Sequence, residues 1–190
     1  MNATLERIAP GTPPLPLEVV RSFIGEGARR LIARALERRG LAHPVEDVRP
    51  LFMSCYERVL LETTRPYDGI EEALDALAGR MLAVLTNKPG LLSRSLLDGL
   101  GLGPRFRRVI GGDDVAAQKP RPDGLRLLLE EAGVEPGQAA MVGDSAIDVL
   151  TARACGVRAV GVTWGFDPAG LEREPPDVLV GRPQDLAAAL

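Results

Sequence analysis

Three short polar clusters carry the residue types from which phosphate chemistry is built. Asp144 and Asp148 stand four positions apart in Gly143-Asp144-Ser145-Ala146-Ile147-Asp148, directly after an apolar run. At a strand-to-helix junction this spacing lets Asp144 cap the helix while both carboxylates face one side. Mg²⁺ takes few carboxylates and completes its shell with phosphate and water oxygens, so the pair suits it. The alternative is an ordinary N-cap followed by a solvent-exposed Asp. Thr86 and Asn87 follow a second apolar run and offer a hydroxyl, an amide and turning backbone N–H groups to phosphate oxygens. A plain turn would use the same two residues. Lys119, held between Gln118 and Pro120, has the charge to neutralise a phosphate or a nucleophile's carboxylate. Its alternative is a solvated loop lysine.

Such groups need a scaffold, and the chain's texture supplies one. From Tyr67 onward short apolar runs alternate with amphipathic stretches: MLAVL (81–85), RRVI (107–110), AAMVG (139–143), VRAVGV (157–162) and DVLV (177–180). This is the βαβ pattern of a parallel sheet. Helices are expected at about 69–79, 90–100, 122–133, 146–155 and 183–189, with stops at Gly101, Gly133 and Gly156. An open parallel sheet binds its ligand beyond the carboxyl ends of the strands, where Thr86, Asn87 and Asp144 fall. Residues 17–64 carry no convincing strand. Their apolar positions Leu31, Ile32, Ala35 and Leu36, then Leu51, Phe52, Cys55, Val59 and Leu60, recur at helical spacing. Thr64 to Gly69, with Pro66 inside, forms the hinge between the two textures.

Composition narrows the classes of function. The chain has 190 residues, 45% hydrophobic and 26% charged, enough to bury a core. Lys and Arg number 23 against 26 Asp and Glu, a formal net charge of -3, so no global charge draws it to nucleic acid or anionic lipid. No apolar run approaches the ~20 residues needed to cross a bilayer. Cys55 and Cys155 have no neighbouring His or second Cys at ligand spacing, so neither a disulfide framework nor a zinc site is indicated. A reducing cytoplasm is the expected location, with no nucleic-acid or membrane partner.

The order and placement of the three clusters resembles a known family. Leu-Thr-Asn-Lys-Pro (85–89), Gln-Lys-Pro-Arg-Pro (118–122) and Gly-Asp-Ser-Ala-Ile-Asp (143–148) look like the second, third and fourth motifs of the haloacid dehalogenase-like phosphohydrolases. Within that superfamily four further stretches resemble bacterial phosphoglycolate phosphatases: Arg21 to Ala28, Arg65-Pro66-Tyr67, Ile110 to Asp114 and Gly161 to Gly165. The resemblance implies an α/β fold: a Rossmann-like core at 66–190 with a helical cap domain at 1–65. Thr86 and Asn87 would hold the phosphoryl oxygens, and Lys119 would position and neutralise nucleophile and phosphate. Asp144 would ligate Mg²⁺, with Asp148 ligating or supporting it. Arg21, Ser22, Gly25, Glu26 and Gly27 would meet the substrate's non-phosphate end; a helix break with a solvated basic turn is the alternative. The implied reaction is Mg²⁺-dependent hydrolysis of a small phosphorylated metabolite through an aspartyl-phosphate, with 2-phosphoglycolate favoured. Another small phosphate ester or pyrophosphate is the second choice, and a non-catalytic phosphate- or Mg²⁺-binding relative the third.

The chain departs from that family in one place. These enzymes begin with a strand ending in Asp-x-Asp-Gly-Thr, whose first Asp attacks phosphorus and whose second moves protons. No Asp-x-Asp occurs among the 190 residues. Asp113 and Asp114 fall in the loop after RRVI and are no substitute. The family's first strand lies between those carrying Thr86 and Asp144, so the first core strand is expected to be missing and two edges to stand unpaired. Buried unpaired backbone groups cost on the order of 1 to 3 kcal/mol each. Residues 1–20, with Pro10, Pro13, Pro14 and Pro16, make a poor replacement strand. The expectation is a shortened form with little turnover; an in-frame stop immediately upstream of the Met1 codon would contradict the shortening.

Overall fold

The computed structural model describes residues 1–190. Its first part is helical: α1 (Asn2–Ile8), α2 (Leu17–Arg21), α3 (Gly27–Arg39) and α4 (Val45–Val59). Ile32, Ala35 and Leu36 on α3, and Val48, Phe52 and Cys55 on α4, are the buried positions, spaced three or four apart as one face of a helix requires. Ile32, Leu36, Val48 and Phe52 form one core; Leu5, Leu15 and Ala35 form a second beside it. Full burial of each large side chain stabilises by roughly 1.5 to 3 kcal/mol. The segment after α1 is Pro-rich and has no ladder of its own. Asn2 replaces one, its Nδ2 donating to Leu15 O at 2.9 Å while Leu15 N–H donates back to Oδ1 at 2.9 Å.

The second part is the alternating one: α5 (Ile70–Ala76), β1 (Ala83–Leu85), α6 (Gly90–Gly99), β2 (Arg108–Ile110), α7 (Asp123–Ala132), β3 (Ala140–Gly143), α8 (Ala146–Ala154), β4 (Arg158–Val162), α9 (Pro168–Arg173), β5 (Val178–Val180) and α10 (Leu186–Ala189). All five apolar runs are strands, each shorter than its run. Helix α5 ends at Ala76 rather than 79, and the 183–189 stretch opens with a turn of 3₁₀ helix before α10. Helix α9 was not expected. Every strand pair is parallel.

The sheet is divided. β1 pairs only with β2, Val84 opposite Val109, while β3, β4 and β5 form a separate ladder with Val160 opposite Val142 and Val178. β1 and β3 therefore each keep one edge without a strand partner. Their carboxyl ends are nevertheless held side by side: Lys119 Nζ donates both to Leu85 O, at the end of β1, and to Asp148 on α8, just past β3. Leu85 packs against the cluster that contains Met141 and Leu125, so α7 covers both sheets from one face. β4 is buried on both faces, Ala159 entering that cluster and Val160 and Val162 the opposite one, as befits a central parallel strand. Val142 on β3, by contrast, is 41% exposed. Trp164 packs against the Val160 and Val162 cluster, Cys55 is buried, and Cys155 is a free thiol raised by burial above its ordinary pKa.

Candidate active site

Thr86 is fixed by the strand it follows. Its N–H donates to Ile110 O at 3.0 Å, continuing the β1–β2 ladder, and its Oγ1 accepts from Lys88 N–H at 3.1 Å. The hydroxyl proton remains free to donate. Asn87 is buried, and its side chain is fully engaged. Nδ2 donates to Gly25 O at 2.9 Å and Lys119 O at 3.0 Å, and Oδ1 accepts from Lys119 N–H at 2.9 Å. The amide expected to hold phosphate instead ties the loop before α3 to the Lys119 loop. What Asn87 retains for an anion is its backbone N–H.

Lys119 lines the same cleft as Thr86. Two of its three N–H bonds go to Leu85 O at 2.9 Å and Asp148 Oδ1 at 2.6 Å, leaving one for a ligand. Lys119 and Asp148 are both shielded, with side-chain exposures of 13% and 9%. Asp148 is saturated, because its Oδ2 accepts from the N–H groups of Asp144 and Ser145 at 3.2 Å and from Ser145 Oγ at 2.7 Å. Ser145, not Asp144, is the N-cap of α8, and Asp148 closes the capping box. Capping by the neighbouring serine releases Asp144 from that task. One oxygen of Asp144 accepts from Phe166 N–H at 2.6 Å; the other has no partner. Gly143 is required here, since a Cβ at that position would overlap the Asp148 side chain.

Thr86, Lys119, Asp144 and Asp148 line one cleft of about 400 Å³ between the sheet ends and the helical part. Gly25 and Gly27 line it as well; Gly25 has φ +116 and Gly27 φ +85, backbone that favours glycine. Arg21, Ser22 and Glu26 are placed elsewhere. The Arg21 guanidinium lies 5.6 Å from the Phe166 ring centroid, Ser22 Oγ donates to Val19 O, and Glu26 is paired with Arg30 and Arg34. Glu26 borders a second cavity of about 430 Å³ with Arg49 and Asp113.

Sequence reasoning singled out neither Lys88 nor Tyr56. Both line the cleft, and Lys88 Nζ donates to Tyr56 Oη at 2.7 Å. The Thr-Asn-Lys-Pro string contains Lys88, but its partner is 32 residues away, so no local signal announces the contact. Asp113 and Asp114 are structural. Asp113 accepts from Gly90 N–H and pairs with Arg49 of α4 at 3.3 Å. Asp114 is held below the usual carboxylate range by its hydrogen bond from Arg94, then by that from Gly111 N–H.

No cluster of three acidic, His or Cys side chains surrounds a point in this cleft. The residues present nonetheless fit Mg²⁺ through Asp144, which lines the cleft and has one oxygen without a partner; an ion held there would keep phosphate and water oxygens. Asp148, with both oxygens taken and an ammonium at 2.6 Å, fits the supporting role.

Comparison with known proteins bears on the family and the fold. The family profile described as haloacid dehalogenase-like hydrolase matches residues 1–162. The chain is 42% identical over 171 residues to a phosphoglycolate phosphatase of Rhodospirillum rubrum, covering 85% of this chain and 69% of that one. It is 39% identical over 186 residues to phosphoglycolate phosphatase 1 of Pseudomonas aeruginosa, covering 93% and 67%. Among solved structures, a predicted phosphoglycolate phosphatase from Haemophilus somnus superposes with a TM-score of 0.90 at 27% identity, covering 99% of this chain and 87% of that one. CbbY from Rhodobacter sphaeroides, solved in complex with phosphate, superposes at 0.81 with 25% identity, covering 97% and 86%.

Proposed function

The chain belongs to the haloacid dehalogenase-like hydrolases and is a phosphoglycolate phosphatase-like member of them, and we propose that its cleft is the phosphate and Mg²⁺ site of a 2-phosphoglycolate phosphatase. The observation that carries this reading is the convergence, at one end of two sheets, of three groups with unused capacity. Thr86 Oγ–H and one Lys119 N–H can donate to phosphoryl oxygens, and one Asp144 oxygen can hold a cation. Residues 1–65 act as a cap over residues 66–190, with Gly25 and Gly27 at the closing edge. Mg²⁺, when bound, would neutralise phosphoryl charge. Lys119, held in place by Asp148 and Leu85 O, aims its remaining proton at the transferring group. The Asn87 clamp on Gly25 O keeps the cap loop against the core and excludes water.

The covalent step of this family needs an aspartate that is not among these 190 residues. The unpartnered edges of β1 and β3 supply the place for it, since a parallel strand seated between them would deliver its carboxyl end beside Thr86 and Asp144. Hydrolysis would then proceed through an aspartyl-phosphate.

Titration with inorganic phosphate in the presence of Mg²⁺ tests the site on the chain as it stands. Binding is expected, weakened about tenfold or more by T86A or K119M, as for loss of one hydrogen bond to a charged group. No binding would overturn the reading. In a longer form that turns over, faster release from pyrophosphate than from 2-phosphoglycolate would favour the wider substrate class. Phosphate binding without hydrolysis by any such form would favour a non-catalytic relative.

A further inference from the structure

Of the two lysines that line the cleft, one has no carboxylate partner. Lys119 is matched by Asp148 at 2.6 Å. Lys88 has no acidic oxygen within 4.0 Å and takes part in none of the molecule's ion pairs. Its ammonium reaches from the turn after β1 to Tyr56 on α4, 2.7 Å from the hydroxyl and 5.0 Å from the ring centroid. A half-buried ammonium with only a neutral hydroxyl and a ring for company has lost water that they replace in part. Two N–H bonds of Lys88 and the O–H of Tyr56 are left over. They are three donors at one point of the cleft, with no protein acceptor among them.

Lys88 lies two residues beyond Thr86 in the same turn, its N–H bonded to the Thr86 hydroxyl at 3.1 Å. An anion at Lys88 and a phosphate at Thr86 therefore belong to one small molecule. We propose that Lys88 and Tyr56 form the subsite for a carboxylate carried by the phosphorylated substrate, and so determine specificity. This rests on the phosphate being held by Thr86 and Lys119, as above. One unpaired lysine ammonium matches one negative charge. A second phosphate would call for a further cation of full strength: the Met1 α-amino group on the cleft wall has its pKa lowered by burial, Arg30 and Arg34 are paired with Glu26 and Arg49 with Asp113, and Arg21, over the Phe166 ring, does not line the cleft. A sugar phosphate is disfavoured by the rest of the cap wall. Ile24, Leu31 and Phe52 are apolar and would leave sugar hydroxyls unpaired.

The test is calorimetric titration of the 190-residue chain, with Mg²⁺, using 2-phosphoglycolate, ethyl phosphate and inorganic phosphate. Ethyl phosphate keeps the carbon chain and lacks the carboxylate. We expect 2-phosphoglycolate to bind about tenfold or more tightly than ethyl phosphate, a difference of about 1.4 kcal/mol. K88M should collapse that ratio to within about twofold while moving inorganic phosphate little, Y56F should reduce it severalfold, and K88R should restore part of it. Thermal melts confirm that each variant folds, and the ethyl phosphate comparison needs no variant. Equal binding of the two esters by the unaltered chain overturns the carboxylate subsite while leaving the phosphate site standing. K88M weakening all three ligands alike also overturns it, making Lys88 a general anion attractor. Failure of all three to bind overturns both readings.

Discussion

Replacing Lys119 by Met, Asp148 by Asn, and both together, measures how firmly the cleft floor is built. The two charges are 2.6 Å apart and nearly out of water, at 13% and 9% side-chain exposure. At an effective dielectric constant near 20 their gross attraction is about 6 kcal/mol, most of it offset by desolvation. Removing one partner of a buried pair costs about 3 to 5 kcal/mol because the other charge is left uncompensated. Asp148 would keep three donors on its Oδ2, so K119M belongs at the low end, about 3 kcal/mol. D148N removes the countercharge of Lys119 and leaves one amide oxygen to serve either that ammonium or the capping box, with its NH2 facing donors on the other side, so it should lose at least as much. For a chain of this size, 3 kcal/mol corresponds to a drop of about 6 to 12 °C in Tm. The double variant should be less destabilised than the sum of the singles by about 1 to 3 kcal/mol, because the second change removes the stranded charge. Urea unfolding followed by circular dichroism reads all four proteins. Strict additivity, or a K119M loss below about 1 kcal/mol, would refute the pairing as the element that holds both strand ends together.

Further outcomes follow from other contacts. N87A strands three backbone groups that the side chain satisfies, so it should lower stability by about 2 to 4 kcal/mol and speed amide exchange in the Gly25–Gly27 loop; exchange unchanged there would contradict the clamp. Thr4 is fully buried and its hydroxyl has no partner, so T4V should raise stability by about 1 kcal/mol, seen as a higher Tm. Asp114 has its pKa lowered chiefly by Arg94, so its ionised form stabilises the fold above about pH 4, and that contribution is lost as pH falls through the lowered value. The stability gap between the natural chain and D114N, measured by urea unfolding, should therefore narrow between pH 7 and pH 3; a constant gap would contradict it.

Much of this architecture is legible because it is local. The five apolar runs announce β1 to β5, and the strands end short of the runs, as at Met81 and Leu82 before β1, where one bond from Arg107 N–H to Leu82 O at 2.8 Å is the last rung of the ladder. Gly133 and Gly156 stop helices where expected, with φ +65 and +67. Helix α9 hides because Gly170 and a lone buried Leu171 give it no periodicity, although Asp167 caps it by accepting from Gly170 N–H. Thr86, Lys119, Asp144 and Asp148 were readable as a set from motif order and strand ends. The use of Asn87 was not, since its amide is claimed by backbone groups 62 and 32 residues away. The same applies to Lys88 and Tyr56, which meet only when the helical part closes on the sheet.

The most direct test compares Mg²⁺-dependent phosphate release from 2-phosphoglycolate by two proteins: the 190-residue chain, and the same chain preceded by a relative's hydrophobic strand ending in Asp-x-Asp-Gly-Thr. If that strand seats between β1 and β3, the extended protein should turn over at ~1 per second or faster, and the shorter one at least about a thousandfold more slowly. Ordinary turnover by the 190 residues alone, or silence from a folded extended protein, would contradict it.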